Sequence, residues 1–374
     1  MRAHSAHPLA ALEIGEVNDL PAFKELEREW NALVEATTNE FFHRHEFLRI
    51  WMESFAKDAR LRILTGRDAA GRLTAALPLM QRYGSLHGLP VRELVATANS
   101  HSCRWDLLAE AGAAAGKLFF DYLGNDGSWD VLKLIDVPED GQAHHLVRAA
   151  RRAGFPAASW ESQRSPYLDL SPEDGRLPRW GSGQLQSLVR RRRRQLLEQG
   201  ELRLERLTTE GIREALNEFF EMEGLGWKGR QGTACAQDED TALFYTRLAE
   251  EASRSGHLSF FRLKLDGRTI AFHYGLTYAG AYFLPKLGYD EAFGRFSPGL
   301  VLIDSVLQDA LARRLRRLDF LGSDDEWKLR WSSGVRRHDW LFVFRDNAVG
   351  RLLKKAKFDW LPRVKRLWEL RRPE

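Results

Sequence analysis

Apolar positions recur at helical spacing early in the chain, at Phe23, Leu26, Trp30 and Leu33, and again at Phe47, Leu48, Trp51 and Phe55. The pattern then changes to alternation. Residues 61–66 and 73–79 flank a turn at 67–72 and predict a β-hairpin. Strands are expected at 94–98, 105–108 and 129–135, with helices at 113–125 and 142–153. A stretch rich in Pro, Gly, Ser and Asp at 165–183 marks a junction between domains. Beyond it the pattern predicts a helix at 184–199, a strand at 202–207, and helices at 212–224 and 241–253. Three alternating runs at 257–265, 269–278 and 281–289, joined by Asp266-Gly267-Arg268 and Ala279-Gly280, form a meander. Leu300, Ile303, Leu307, Ala310 and Leu311 then mark a helix, followed by strands at 317–322 and 335–345. This strand–helix–strand crossover makes its two strands parallel neighbours, and their splaying above the helix start would leave a cleft.

The join into that helix, Arg295-Phe296-Ser297-Pro298-Gly299, carries the clearest candidate chemistry. Ser297 reads as an N-cap, with Pro298 at the first helical position. The amides of Gly299, Leu300 and Val301 would then be unpaired donors at the positive end of a helix, and Gly299 has no side chain to hold a ligand away. Such an end suits a phosphate or pyrophosphate. Ser-Pro-Gly also opens many helices that bind nothing.

Two other stretches stand out. The helix at 184–199 holds five consecutive arginines, Arg190 to Arg194, beside a stripe of Leu185, Leu188, Val189 and Leu196. The spacing places Arg192 along that stripe, where it needs an anion, either a buried carboxylate or a ligand phosphate. The loop at 226–234 is dense in glycine and carries Trp227 and two cations, a composition common at binding sites.

With 374 residues the chain is long enough for two domains, and 44% hydrophobic with 29% charged content describes a soluble globular protein. No signal peptide or membrane-spanning run is read. Cys103 and Cys235 are far apart and show no metal-ligand pattern, which fits a reducing, cytoplasmic setting. The net charge of +4 is uneven: residues 351–374 hold nine Lys/Arg against three Asp/Glu, so the rest is near neutral. That distribution argues against DNA binding, which needs a basic docking face. The adjacent His144 and His145 point in different directions on a helix and read as surface residues. The tail at 349–374 is basic, amphipathic and interrupted by Pro362; it has two readings, docking on its own domain or contact with a membrane or a synthase partner.

Six motifs taken in order resemble the superfamily named after the GCN5-related N-acetyltransferases (GNAT), in particular its branch found in cellulose and exopolysaccharide gene clusters, a relative of the Fem-type aminoacyltransferases. They are residues 226–234, Ile270-Ala271-Phe272-His273, Lys286-Leu287-Gly288-Tyr289-Asp290-Glu291, Ser297-Pro298-Gly299, Asp319-Phe320-Leu321-Gly322 and Trp327-Lys328-Leu329-Arg330-Trp331. Order and spacing match over roughly 165–345. The usual paired glycines of the superfamily's pyrophosphate loop are replaced here by Ser297-Pro298. The resemblance implies an α/β (α+β) fold of tandem GNAT-like domains, each a mixed, mostly antiparallel sheet flanked by helices. A degenerate domain is expected at 1–165, a domain with the cofactor cleft at 166–345, and the basic tail at 346–374.

It also implies transfer of an acetyl or other short acyl group from CoA to an amine, such as an amino sugar, by direct attack and without a metal. Arg295, Ser297, Gly299 and Leu300 would hold the pyrophosphate. His273 is either the base or a core histidine. Asp319 is a base, an amine anchor, or the partner of Arg192 or Lys286. Trp227, Lys286, Glu326, Lys328 and Arg192 are the candidates for substrate contacts. An aminoacyl-tRNA donor and a non-catalytic role in polysaccharide synthesis are the alternatives. The expected location is the cytoplasm, with the tail as one route to the inner face of the membrane.

Overall fold

The computed structural model describes residues 12–86, 88–171, 180–232 and 234–360. The chain divides into two compact units, residues 1–162 with 337–374 and residues 163–336.

In the first unit β1 (Glu13–Val17) is followed by α1 (Leu20–Lys24), α2 (Glu27–Ala36) and α3 (His45–Phe55). β2 (Arg60–Arg67), β3 (Leu73–Leu86) and β4 (Leu89–Ala96) form a meander, and the short β5 (Leu108–Ala109) pairs with β3. Then come α4 (Gly112–Asn125), β6 (Val131–Pro138), α5 (Ala143–Arg152) and β7 (Ala157–Asp169), inside which the chain passes to the second unit. The second unit contains α6 (Gly183–Leu197), β8 (Leu202–Leu207), α7 (Ile212–Leu225), α8 (Trp227–Arg230) and α9 (Glu239–Arg254). β9 (Phe260–Leu265), β10 (Arg268–Tyr278), β11 (Ala281–Tyr289), α10 (Pro298–Ala312), β12 (Arg317–Asp319) and α11 (Glu326–Leu329) complete it. β13 (Gly334–Phe344) returns to the first unit, where α12 (Ala348–Lys355) ends in a π-helical turn, Ala356–Trp360.

The sheet of the first unit runs β1-β2-β3-β4-β6-β13, antiparallel except for the β4–β6 pair. Alternation sorts the side chains of β6 and β13 onto two faces. Leu132, Leu134, Leu341 and Val343 meet Phe119, Phe120 and Leu146 of α4 and α5. Val131, Phe342 and Phe344 meet Leu353 of α12 and the partly buried Phe358. The tail therefore docks on its own unit through Leu353 and Phe358; residues 361–374 lie outside the described residues.

In the second unit the order is β7-β12-β11-β10-β9-β8, with only β11 and β12 parallel. α6 and α10 cover one face through Val189, Leu196, Val301, Leu302 and Val306, packed with Phe261, Leu263 and Tyr282. Phe219 of α7 and Tyr245 of α9 pack on the aromatic residues Phe272 and Tyr274. The β10–β11 register shifts between Tyr274 and Leu276. A β-carbon at the intervening Gly275 would lie 2.2 Å from the Tyr282 hydroxyl, so only glycine lets that ring pass.

The mixed, mostly antiparallel sheets flanked by helices match the expected fold class. Three details differ. β1 is absent from the expected strands, because Glu-Ile-Gly-Glu-Val has too few apolar positions to signal a strand before β2 pairs with it. The hairpin arm β3 extends seven residues beyond the expected end at 79. The last strand, expected in the second domain, lies in the first unit from Arg337 onward because it pairs with β6.

Candidate functional site

β11 and β12 pair at three positions only, Ala281 with Arg317, Tyr282 with Leu318 and Phe283 with Asp319, and the ladder then ends. The chain leaves β11 at Tyr289, makes a 3-10 turn at Glu291–Phe296 and enters α10 at Pro298. The start of α10 thus lies at the carboxyl end of the parallel pair, the usual place for a ligand in such a crossover. Tyr289 sits over this turn. β-carbons built at Gly294 and at Gly299 would each meet its ring at 3.8 Å, ordinary van der Waals contact.

Ser297 does not act as the expected side-chain cap. It takes a left-handed conformation, φ 51° and ψ 56°, and its side chain caps no amide. A residue before proline is steered away from the right-handed helical region, and for serine the left-handed alternative costs about 1–2 kcal/mol. The Ser297 carbonyl instead accepts the Leu300 N–H at 3.0 Å. The amide of Leu300 is therefore spent inside the protein, a correction to its expected role. Among the described residues the Gly299 amide has no acceptor, and Arg295 is exposed with its guanidinium 4.5 Å from the centre of the Phe296 ring. The glycine-rich loop reaches the same turn: Arg230 of α8 donates to both oxygens of Glu291, at 3.0 and 3.1 Å. The side chain of Trp227 lies outside the described residues.

The other candidates divide. Lys286, on β11 beyond the last position paired with β12 and opposite Tyr274 of β10, stacks its ammonium 5.1 Å from the centre of the Tyr245 ring, a contact the sequence did not suggest. Asp319 is 1% exposed, and its Oδ1 accepts the Leu321 N–H at 3.0 Å. It shapes the loop after β12, where Leu321 and Gly322 both have positive φ. Lys328 belongs to that loop too. Its buried ammonium donates to the carbonyls of Leu321 at 3.0 Å and Ser323 at 2.8 Å and pairs with Asp325 at 3.0 Å, so it is a brace, not a free substrate contact. Glu326 points into solvent and pairs with Arg330 at 2.6 Å. Arg192 is half-buried and donates to Gln195 at 3.0 Å. The arginine that meets a carboxylate is its neighbour Arg193, which donates to Asp304 at 3.2 Å and Ser305 at 2.8 Å on α10.

His273 is displaced furthest from its expected role. It lies on β10 between Phe261 and Leu287, 2% exposed, with no partner for either ring nitrogen among the described residues. Burial lowers its pKa from 6.5 to about 3. So weak a base, out of reach of solvent, is poorly suited to take a proton from an amine. The lowered value has a consequence for folding. Above pH 6.5 the ring is neutral in both states; as pH falls toward 3 only the unfolded chain takes up the proton, and stability falls. The slope reaches at most about 1.4 kcal/mol per pH unit for one group. Urea denaturation of the wild type and of His273→Leu at pH 7 and pH 4 is expected to show the balance moving toward the variant in acid. An unchanged difference would mean that the ring is not buried neutral.

A parallel pair that ends beside an arginine-flanked helix start is an arrangement able to hold an anionic ligand. Residues 185–329 match the acetyltransferase (GNAT) domain family. Outside that match the similarity is one of fold, and it extends to the Fem-type transferases. FemX superposes with a TM-score of 0.60 at 12% identity, covering 91% of this chain and 100% of that one. The C-terminal domain of a putative lysylphosphatidylglycerol synthetase from Agrobacterium fabrum gives 0.54 at 12% identity, covering 90% and 96%. L-PGS from Bacillus licheniformis gives 0.51 at 13% identity, covering 91% and 96%. No curated protein sequence matches this one.

Proposed function

We propose that the chain transfers an acetyl or other short acyl group from CoA to an amine, such as an amino sugar used in polysaccharide synthesis. The observation that carries this reading is the helix start: a free Gly299 amide at the positive end of α10, only the Tyr289 ring within 4 Å of a β-carbon placed there, and the exposed Arg295 guanidinium alongside. These groups fit a diphosphate, with Tyr289 beside it. Acyl-CoA supplies an activated thioester carbonyl. The residues of this chain do the placing: the parting of β11 and β12 admits a thin, extended chain between the strands, and the loop held by Asp319 and Lys328 keeps its wall fixed. Proton removal from the amine falls to solvent at the mouth, since His273 and Asp319 are both buried.

Calorimetry with CoA and with acetyl-CoA tests the donor. Heat that saturates with both ligands is expected, because both carry the diphosphate; no heat at millimolar ligand would overturn the reading. A second reading, aminoacyl transfer from tRNA, has one observation in its favour: Arg190, Arg191 and Arg194 leave α6 with an exposed basic ridge. It predicts a gel shift with charged tRNA that disappears with salt and is not displaced by CoA.

A further inference from the structure

The first unit carries a cluster of cations that the acyl-transfer reading leaves unused. Lys133 occupies the last paired position of the parallel β4–β6 ladder, opposite Val95. Its ammonium lies 5.0 Å from the centre of the Trp340 ring. Lys357, from the π-helical turn after α12, lies 4.8 Å from Trp160 and 5.1 Å from Phe342. The three rings form one wall, with Trp160 centred 5.7 Å from Trp340 and 4.9 Å from Phe342. Among the described residues no carboxylate comes within 4.0 Å of either ammonium.

Glu93 is the one acid whose charge both lysines feel, and it is already held by Arg82 at 2.9 Å. Lys133, Lys357 and Arg82 thus share the one carboxylate of Glu93 on a half-buried aromatic wall, whose other acid, Asp136, is held by the Trp340 indole at 2.9 Å. Burial keeps both ammonium groups below the ordinary lysine value, and Lys133 pushes Lys357 down further. Aromatic faces recover part of the cost of such desolvation, but two like charges on one wall still repel. A dianion seated between them would remove both penalties.

We propose that Lys133 and Lys357, backed by Trp160, Trp340 and Phe342, form a binding site for a phosphate group. A phosphomonoester carries the two negative charges that the cluster lacks. The group belongs either to a free phosphorylated molecule or to an anionic lipid. The second source has a route of approach, because Val349, Leu352 and Trp360 of the same segment are 57%, 46% and 50% exposed.

The test uses the full chain with its lysines reductively ¹³C-methylated, which keeps their charge. Inorganic phosphate is titrated while the Lys133 and Lys357 methyl signals are followed by NMR. Both are expected to move along one saturable curve, and Lys133→Met or Lys357→Met is expected to weaken binding about ten-fold or more. In a second arm the protein is sedimented with phosphatidylcholine vesicles with and without phosphatidic acid. Saturation by phosphate alone identifies a free phosphorylated ligand. Sedimentation that needs phosphatidic acid, and is lost in the variants, identifies a lipid. Methyl signals that stay still with phosphate together with sedimentation indifferent to phosphatidic acid, or binding that survives both substitutions, would overturn the proposal. Lys357 sits in the turn after α12 and outside the sheet, so its variant remains readable even if Lys133→Met disturbs the sheet.

Discussion

Gly299→Asp is expected to lower affinity for acetyl-CoA about a hundred-fold while leaving the melting temperature equal to or above that of the wild type. The two effects have opposite signs for one reason, the positive end of α10. A β-carbon at Gly299 meets only the Tyr289 ring, at 3.8 Å, so the fold accepts a side chain there. A carboxylate in the first turn of a helix stabilises it by about 0.3–1 kcal/mol. The same carboxylate occupies the space assigned to the diphosphate, and like charges brought together cost several kcal/mol. Calorimetry and a thermal melt on one preparation separate the outcomes. If affinity is kept, the diphosphate does not lie at this helix start. If the variant unfolds, the turn is more crowded than the geometry indicates.

The largest loss of stability is expected from Lys328→Met, about 1–3 kcal/mol, because it leaves the buried Leu321 carbonyl without its donor. The ammonium satisfies two carbonyls and pairs with Asp325 from a nearly buried position. Methionine fills similar space but leaves the buried Leu321 carbonyl unpaired, at about 1–3 kcal/mol, while the exposed Ser323 has water to turn to. Urea unfolding is the direct measurement. A loss well below 1 kcal/mol would show that the loop after β12 is held by Asp319 alone. A normal urea midpoint with weakened acceptor binding would return Lys328 to the substrate-contact role the sequence first suggested.

Much of the site was legible before folding because its signals are local. Ser297-Pro298-Gly299 announced a helix start, and the alternation on either side of Gly267 and Gly280 announced the meander. Both turns need positive φ, which the structure has at Gly267 and Gly280. The function of individual side chains was less legible. Arg192 and Arg193 are one helical step apart, and both border the apolar stripe of α6. Which of them meets Asp304 depends on how α6 lies across α10, a packing property that the spacing within α6 does not contain. His273 occupies an ordinary strand position; its neutrality comes from the elements packed around it. Lys328 and Asp319 read as site residues because charged groups in apolar surroundings invite that reading, but the loop's own carbonyls and amide hold them. Arg230 was part of a quoted motif yet passed over, since its partner Glu291 lies far along the chain.

The sequence alone determined where the chain turns, most of the segments that are strands or helices (β1 and β7 excepted), and that one crossover would set two strands parallel. Those features follow from the conformational preferences and periodicity of neighbouring residues. The tertiary structure decided which charges are spent on the protein and which stay open to a ligand. Desolvation and ion pairing depend on groups that only folding brings together, and no local pattern records them.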